Sequence, residues 1–335
     1  MKNKFHNIPI SILDLAVILE GKTAANSFKN SLSLAQKAEN LGYNRFWLAE
    51  HHNMASIASS ATSILIGHIA NGTSTIRVGS GGIMLPNHAP LIVAEQFGTL
   101  ASLYPDRIDL GLGRAPGTDQ LTARALQRND QAAFEFPKTV RELQEYLSIE
   151  NRDSPVRAIP GEGLNIPIWI LGSSTDSARL AASFGLPYAF ASHFAPQQLL
   201  EALRIYRTNF KPSEHLKEPY VMACVNVTAA ETTHEAQVLA TSMQKIFLGI
   251  LTNDRRPLQP ADENFKINDK AKSVLRQFLA YSFVGSPSDI KTALEQFVEE
   301  TQIDELMVVS HIYDHEARLN SYKIIKESQD VTKKD

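Results

Sequence analysis

A chain of 335 residues with 43% hydrophobic and 21% charged residues has ordinary globular composition and ample apolar material for one large core, which sets aside disorder and collagen-like repeats. With 33 basic against 36 acidic residues the net charge is -3, so no global basic field exists to collect nucleic acid. Cys224 is the sole cysteine, no apolar run approaches the length of a membrane span, and the first apolar stretch is broken by Asp14 with no cleavage site after it; a cytoplasmic protein without disulfide, membrane segment or signal peptide is expected.

The elements alternate almost from end to end. Strands are predicted at residues 8–15, 45–49, 76–79, 108–111, 168–171, 188–191, 221–227 and 305–309, with amphipathic helices between them at 27–40, 61–70, 93–103, 139–147, 177–184 and 197–210. In the first helix Phe28, Leu32, Leu34, Ala35 and Ala38 recur near helical spacing, and Gly42 stops it before the next strand. Thr175, Asp176 and Ser177 supply capping chemistry for the fifth, which Gly185 and Pro187 end. Repeated βα units point to an α/β fold, a (β/α)8 TIM barrel with insertions. Length alone would allow two domains, but barrels of about 250 residues plus insertions commonly form one, and a single domain over 1–335 is expected. The insertions are residues 118–133, polar and poor in helix signal, and 251–269, placed to fold over the mouth as a lid.

In such a barrel the strand-to-loop junctions converge on one face. Here they read Ala49-Glu50-His51-His52-Asn53, Gly79-Ser80-Gly81-Gly82-Ile83-Met84-Leu85-Pro86, Gly111-Leu112-Gly113-Arg114-Ala115-Pro116-Gly117 and Leu171-Gly172-Ser173-Ser174. An arginine offers a planar fork to phosphate oxygens, and serines opening a helix present hydroxyls, N–H groups and the positive end of its dipole. Alone, each feature has a plainer reading: a solvated salt bridge for Arg114, an ordinary cap for Ser173 and Ser174, a helix-face charge for Glu95, and one packed and one solvated ring for His51 and His52. His88, His193, His311 and His315, each taken singly, read as structural.

Together, Phe46 to His52, Gly79 to Pro86 with Glu95, Arg107 to Arg114, and Pro167 to Ser174 resemble the bacterial luciferase-like flavin monooxygenase superfamily over nearly the whole chain, nearest its branch with single-type subunits. The resemblance implies reduced FMN as co-substrate, dioxygen, a small organic substrate such as an aldehyde or ketone, a separate NAD(P)H:flavin reductase and a homodimer. It places Arg114, Ser173 and Ser174 at the FMN phosphate, Gly81 and Gly82 against the isoalloxazine with a non-proline cis peptide between them, Glu95 near the site wall, and His51 in acid-base assistance. Gly113 stands where light-emitting members carry a reactive cysteine, which argues against bright luminescence. Phe5, Trp47, Met84, Phe194 and Phe247 are candidate wall residues. Alternatives are deazaflavin-dependent hydride transfer and flavin binding without catalysis. A metal-dependent hydrolase is disfavoured because adjacent histidines point apart and no His-x-His or His-Glu-x-x-His spacing occurs, and a nicotinamide turn because residues 111–117 lack Gly-x-Gly-x-x-Gly spacing. No second nucleotide-binding segment remains, which is why the reductase is expected to be a separate protein.

Overall fold

The computed structural model describes residues 2–129 and 131–330; positions 1, 130 and 331–335, which the expected 1–335 domain and the 118–133 insertion include, lie outside them. The strands are β1 (Ile10–Asp14), β2 (Arg45–Leu48), β3 (Arg77–Ser80), β4 (Ile83–Met84), β5 (Ile108–Gly113), β6 (Ile168–Gly172), β7 (Tyr188–Phe190), β8 (Val221–Ala229), β9 (Ser282–Gly285) and β10 (Glu305–Val309). The helices are α1 (Ala24–Asn40), α2 (Thr62–Asn71), α3 (Pro90–Leu103), α4 (Gln120–Ala125), α5 (Ala132–Leu147), α6 (Thr175–Phe184), α7 (Leu199–Asn209), α8 (Thr233–Thr252), α9 (Asp269–Phe278), α10 (Pro287–Thr301) and α11 (His315–Glu327). The eight strands expected from the sequence run β1-β2-β3-β5-β6-β7-β8-β10, and β10 pairs back onto β1, closing an all-parallel barrel. Two short strands were not expected: β4 adds to β5 near the mouth, and β9 adds to β8 outside the closed ring.

Burial on both faces explains why the strands read as near-continuous apolar runs. In β8, Val221, Ala223, Val225 and Val227 join the large core beneath the helices, while Met222 and Cys224 face a smaller cluster inside the barrel with Leu13, Trp47, Trp169, Ala189 and Met307. Trp47 and Trp169 meet edge to face at 5.2 Å.

Towards the strands' N-terminal ends the lumen is plugged by charge. Asp109, fully buried, accepts from Arg45 at 2.7 Å, from Arg77 at 2.6 Å and from Trp47 Nε1 at 3.1 Å. Glu305, also fully buried, accepts from Arg45 and Asn44, each at 3.0 Å, from the Tyr220 hydroxyl at 2.9 Å and from Ser11. Five strands and the approach to a sixth are thereby tied across the barrel.

Three expectations need correction. Within 118–133, Asp119 caps α4 by accepting from the Thr122 amide at 3.0 Å, and α5 begins at Ala132 rather than 139; a local cap gives order to a segment whose composition reads as loop. The cap of α6 is Ser174, and none of Thr175, Asp176 or Ser177 caps it: the Ser177 hydroxyl turns back to the Ser174 carbonyl at 2.7 Å. Phe5 precedes β1 and is buried at the closed end, where Gln329 donates to its carbonyl, so it lines no part of the mouth. The 253–268 stretch does lie at the mouth: Leu258 accepts from the Glu20 amide and donates to the Ile18 carbonyl, both at 2.8 Å, beyond the C-terminal end of β1.

Candidate active site at the barrel mouth

Glu50 organises the β2 junction. Its buried carboxylate accepts from His52 Nε2 at 2.9 Å, from His88 Nε2 at 3.0 Å, from the Met84 amide at 2.9 Å and from Asn87 Nδ2 at 3.2 Å. Burial acts to raise this carboxyl's pKa, but the hydrogen bond and charge of His88, then His52 and the Met84 amide, overcome it and hold it below its usual range. Glu50 thus locks the 84–88 segment against the β2 loop. The sequence assigns Glu50 no role of its own, because three of its four partners, Met84, Asn87 and His88, lie more than 30 residues away.

His51 takes a different direction from His52. Its Nδ1 lies 3.3 Å from the Gly117 carbonyl and its backbone N–H donates to Ser59 at 3.0 Å. With Nδ1–H donating to that carbonyl, Nε2 is left as the basic nitrogen. Burial pushes the His51 imidazole below its usual pKa, against the pull of the Gly117 carbonyl and Glu50, so the ring is neutral near pH 7.

Gly81 and Gly82 line the wall between β3 and β4, and the peptide bond joining them is cis. A Cβ on Gly82 would lie 2.7 Å from the Gly111 carbonyl oxygen, so packing of the barrel wall itself requires that glycine, whereas one on Gly81 would lie 2.8 Å from Leu13 Cδ1, a side-chain end that can shift.

Arg114 follows β5 directly, and its half-exposed guanidinium lies 3.9 Å from the Asp176 carboxylate in the first turn of α6. The residues expected at a phosphate therefore come together: Arg114, Ser173, Ser174 and the N-terminus of a ten-residue helix whose cap hydroxyl makes no capping bond. Uncommitted hydroxyl, helix dipole and guanidinium form a set that fits a phosphate. Glu95 is not joined to this set. It is the sixth residue of α3, half-buried, and among the described residues its carboxylate makes no hydrogen bond or ion pair.

Another part of the rim holds residues that the sequence either read as structural, His193 and His311, or did not name, Asn226 and Ser310. His193 follows β7, Asn226 lies in β8, and Ser310 and His311 follow β10. All four are buried, yet His193 Nδ1, Asn226 Oδ1, Ser310 Oγ and His311 Nδ1 have no protein partner among the described residues, Ser310 facing a separate crevice lined by Ser27, Asn30 and Arg318. Burial drives the His193 imidazole down to about 3, with His311 and His51 adding to the effect, and it drives His311 down to about 4, with Arg318 adding and Asp14 opposing. Phe247 of α8 meets His311 edge-on at 6.0 Å and Phe194 meets His193 at 4.8 Å. Of the expected wall residues, Met84, Phe194 and Phe247 thus stand at the mouth, while Trp47 lies deeper, bonded to Asp109. A histidine beyond a strand carries no local signal; closing β7 and β10 against β2 is what gathers the rings. Among the described residues no group of three His, Cys, Asp or Glu side chains is arranged to hold a metal ion.

A family model described as luciferase-like monooxygenase matches residues 8–305. The chain is 49% identical to a luciferase-like monooxygenase of Escherichia coli (strain K12), over 95% of this chain and 96% of that protein. It is 34% identical to the N-acetyl-S-alkylcysteine monooxygenase of Bacillus subtilis (strain 168), over 98% and 95% of the two chains. Among solved structures, apo-MsnO8 superposes with a TM-score of 0.86 at 37% identity, covering 96% of this chain and 98% of that one.

Proposed function

The chain belongs to the luciferase-like monooxygenase family, and from that premise we propose that it uses reduced FMN and dioxygen to oxygenate a small organic molecule, with the flavin reduced by a separate NAD(P)H-dependent reductase. The observation that carries the reading is the junction of Arg114 with the N-terminus of α6 on one side of a mouth that holds the neutral His51. Arg114, Ser173 and Ser174 would bind the phosphate, while Gly81 and Gly82 would form the wall along which the ring system lies.

Bound and reduced, FMN supplies the electron pair that activates dioxygen. The chain's own groups do the rest. His51 Nε2 accepts or returns a proton at the mouth, oriented by the Gly117 carbonyl. Glu50 fixes the loops that carry His51 and Met84, and Phe247, Phe194 and the 253–268 segment shield the rim from water.

The homodimer is assigned to α2 and α3, which bury Ile66, Ile69, Val93 and Phe97 inward yet leave Ile64 71%, Ile92 46% and Leu103 64% exposed. Helices apolar on more than one face are normally covered. Light scattering of Ile64→Lys should show monomers where the unaltered protein shows dimers. A cytoplasmic location is consistent with the single buried thiol of Cys224.

The deciding experiment is oxygen uptake by purified protein with FMN and NADH or NADPH, with and without an added flavin reductase, across a panel of carbonyl compounds. Substrate-dependent uptake that requires the reductase supports the reading. Nicotinamide oxidation by the chain alone, or binding of a deazaflavin in place of FMN, overturns it.

A further inference from the structure

Buried polar atoms without partners are rare in folded proteins, because each forfeits the solvation it had in water. Here three of them, His193 Nδ1, Asn226 Oδ1 and His311 Nδ1, lie at the C-terminal ends of neighbouring barrel strands. The remainder of Asn226 is committed: its Nδ2 donates to the His193 carbonyl at 2.5 Å and to the Ser282 hydroxyl at 3.0 Å, which leaves the carbonyl oxygen as the free end and fixes its orientation. Neither His193 nor His311 makes a side-chain hydrogen bond to any described residue, and each ring is held in place by an aromatic edge, Phe194 and Phe247 respectively. Such rims are built to be completed by a ligand.

With the flavin assigned to the Arg114 side, we propose that His193, Asn226 and His311 form a hydrogen-bonding wall that selects an uncharged organic substrate over a carboxylate of the same size. The chemistry of the wall is neutral throughout. A neutral imidazole offers one donor and one acceptor, and the Asn226 carbonyl offers an acceptor, which together suit an amide, hydroxyl or carbonyl group. The cation packed nearby, Arg318, is spent: its guanidinium donates to Asp14 Oδ1 at 2.8 Å and to the Ser310 carbonyl at 3.1 Å. A carboxylate pressed against this rim would meet an amide oxygen and two neutral rings with no counter-charge, and would lose its hydration without replacement. The low pKa values of both rings keep that neutrality across the physiological range.

The test uses the full chain loaded with oxidised FMN, so that binding is read without turnover. Calorimetric titration with hexanamide, 2-hexanone and hexanoate at pH 7.5 should give affinities for the amide and ketone at least about tenfold above that for hexanoate. His193→Phe and His311→Phe, which keep a flat ring and remove its polar atoms, should each weaken hexanamide binding by about fivefold while leaving FMN affinity unchanged, and His311→Gln should restore part of the loss. If one phenylalanine variant fails to fold, the other carries the comparison. Hexanoate binding as tightly as the amide, no binding by either uncharged compound, or variants that lose FMN instead of hexanamide would overturn the proposal. Failure of the unaltered chain to bind FMN at all would instead overturn the flavin assignment on which it rests.

Discussion

The two ends of the barrel lumen are both polar, and they are polar in opposite ways. At the closed end Asp109 and Glu305 are fully buried, and every contact named for them is a hydrogen bond from an arginine, tryptophan, tyrosine, serine or asparagine. At the open end His193, Asn226 and His311 are buried too, yet His193 Nδ1, Asn226 Oδ1 and His311 Nδ1 are left unmatched among the described residues. Saturated polar groups hold a fold in one arrangement, whereas unmatched ones cost stability and await a partner. Depth of burial therefore says little about role, and completeness of bonding says much. Glu50 shows the point within the mouth itself, since its full set of partners marks it as a positioning residue and leaves the proton work to His51.

The largest effect should come from breaking the closed end. Asp109→Ala leaves two arginines facing an emptied site, and urea unfolding should show a loss of about 3 to 5 kcal/mol, with FMN affinity of the remaining folded protein unchanged. A loss under 1 kcal/mol would erase the contrast between the two ends.

At the open end, His51→Ala should keep FMN bound but lower turnover about a hundredfold with a substrate found in the uptake assay. His52→Ala should be milder, because that ring bonds Glu50. Unchanged turnover in His51→Ala would reduce His51 to packing.

The unmatched rings should also make the protein acid-sensitive. His311 faces Arg318 and Asp14, and His193 faces His311 and His51; both stay neutral when folded and take up a proton on unfolding. Below the ordinary histidine pKa of about 6.5 the unfolded chain binds more protons, so the stability these rings permit is full above that value and drains as pH falls towards about 4 for His311 and about 3 for His193. Between pH 7 and pH 5 each ring should account for a loss of about 2 kcal/mol, and His311→Phe should flatten the curve by that amount. Parallel curves for the two proteins would place the acid sensitivity elsewhere.

The smallest effect concerns the phosphate side. Arg114→Ala should weaken FMN about tenfold, and riboflavin should bind the two proteins alike. Equal FMN titrations would leave Arg114 with only its solvated pair to Asp176.

The barrel was legible because its strands are buried on both faces, so eight apolar runs separated by amphipathic segments leave few other architectures. β4 and β9 were not legible: two residues after Gly81-Gly82 and four residues at the barrel's outside, three of them half-buried, carry too little pattern. At the site, Arg114, Ser173 and Ser174 each had a plainer reading alone and were joined only by the family resemblance; the folded chain brings them to one helix end. Glu50, His193, Asn226 and His311 were not assigned, since a role that depends on partners on other strands has no expression in local sequence.

The pairing of β1 with β10 has a consequence for how the chain comes to be folded. Ile10 aligns with Leu306, Asn3 bonds Gln302 and Asp304, and Gln329 reaches the carbonyls of Phe5 and Ile8, so the first strand finds its second neighbour nearly 300 residues later. During synthesis, β1 and β8 each present an open edge until β10 has emerged from the ribosome. Contacts of such long range fold slowly, and the interval leaves the nascent barrel exposed to edge-to-edge association. Chains arrested before residue 305 should therefore be the form that chaperones hold and that aggregates on release, while chains that include α11, whose Arg318 closes onto Asp14, should come free folded.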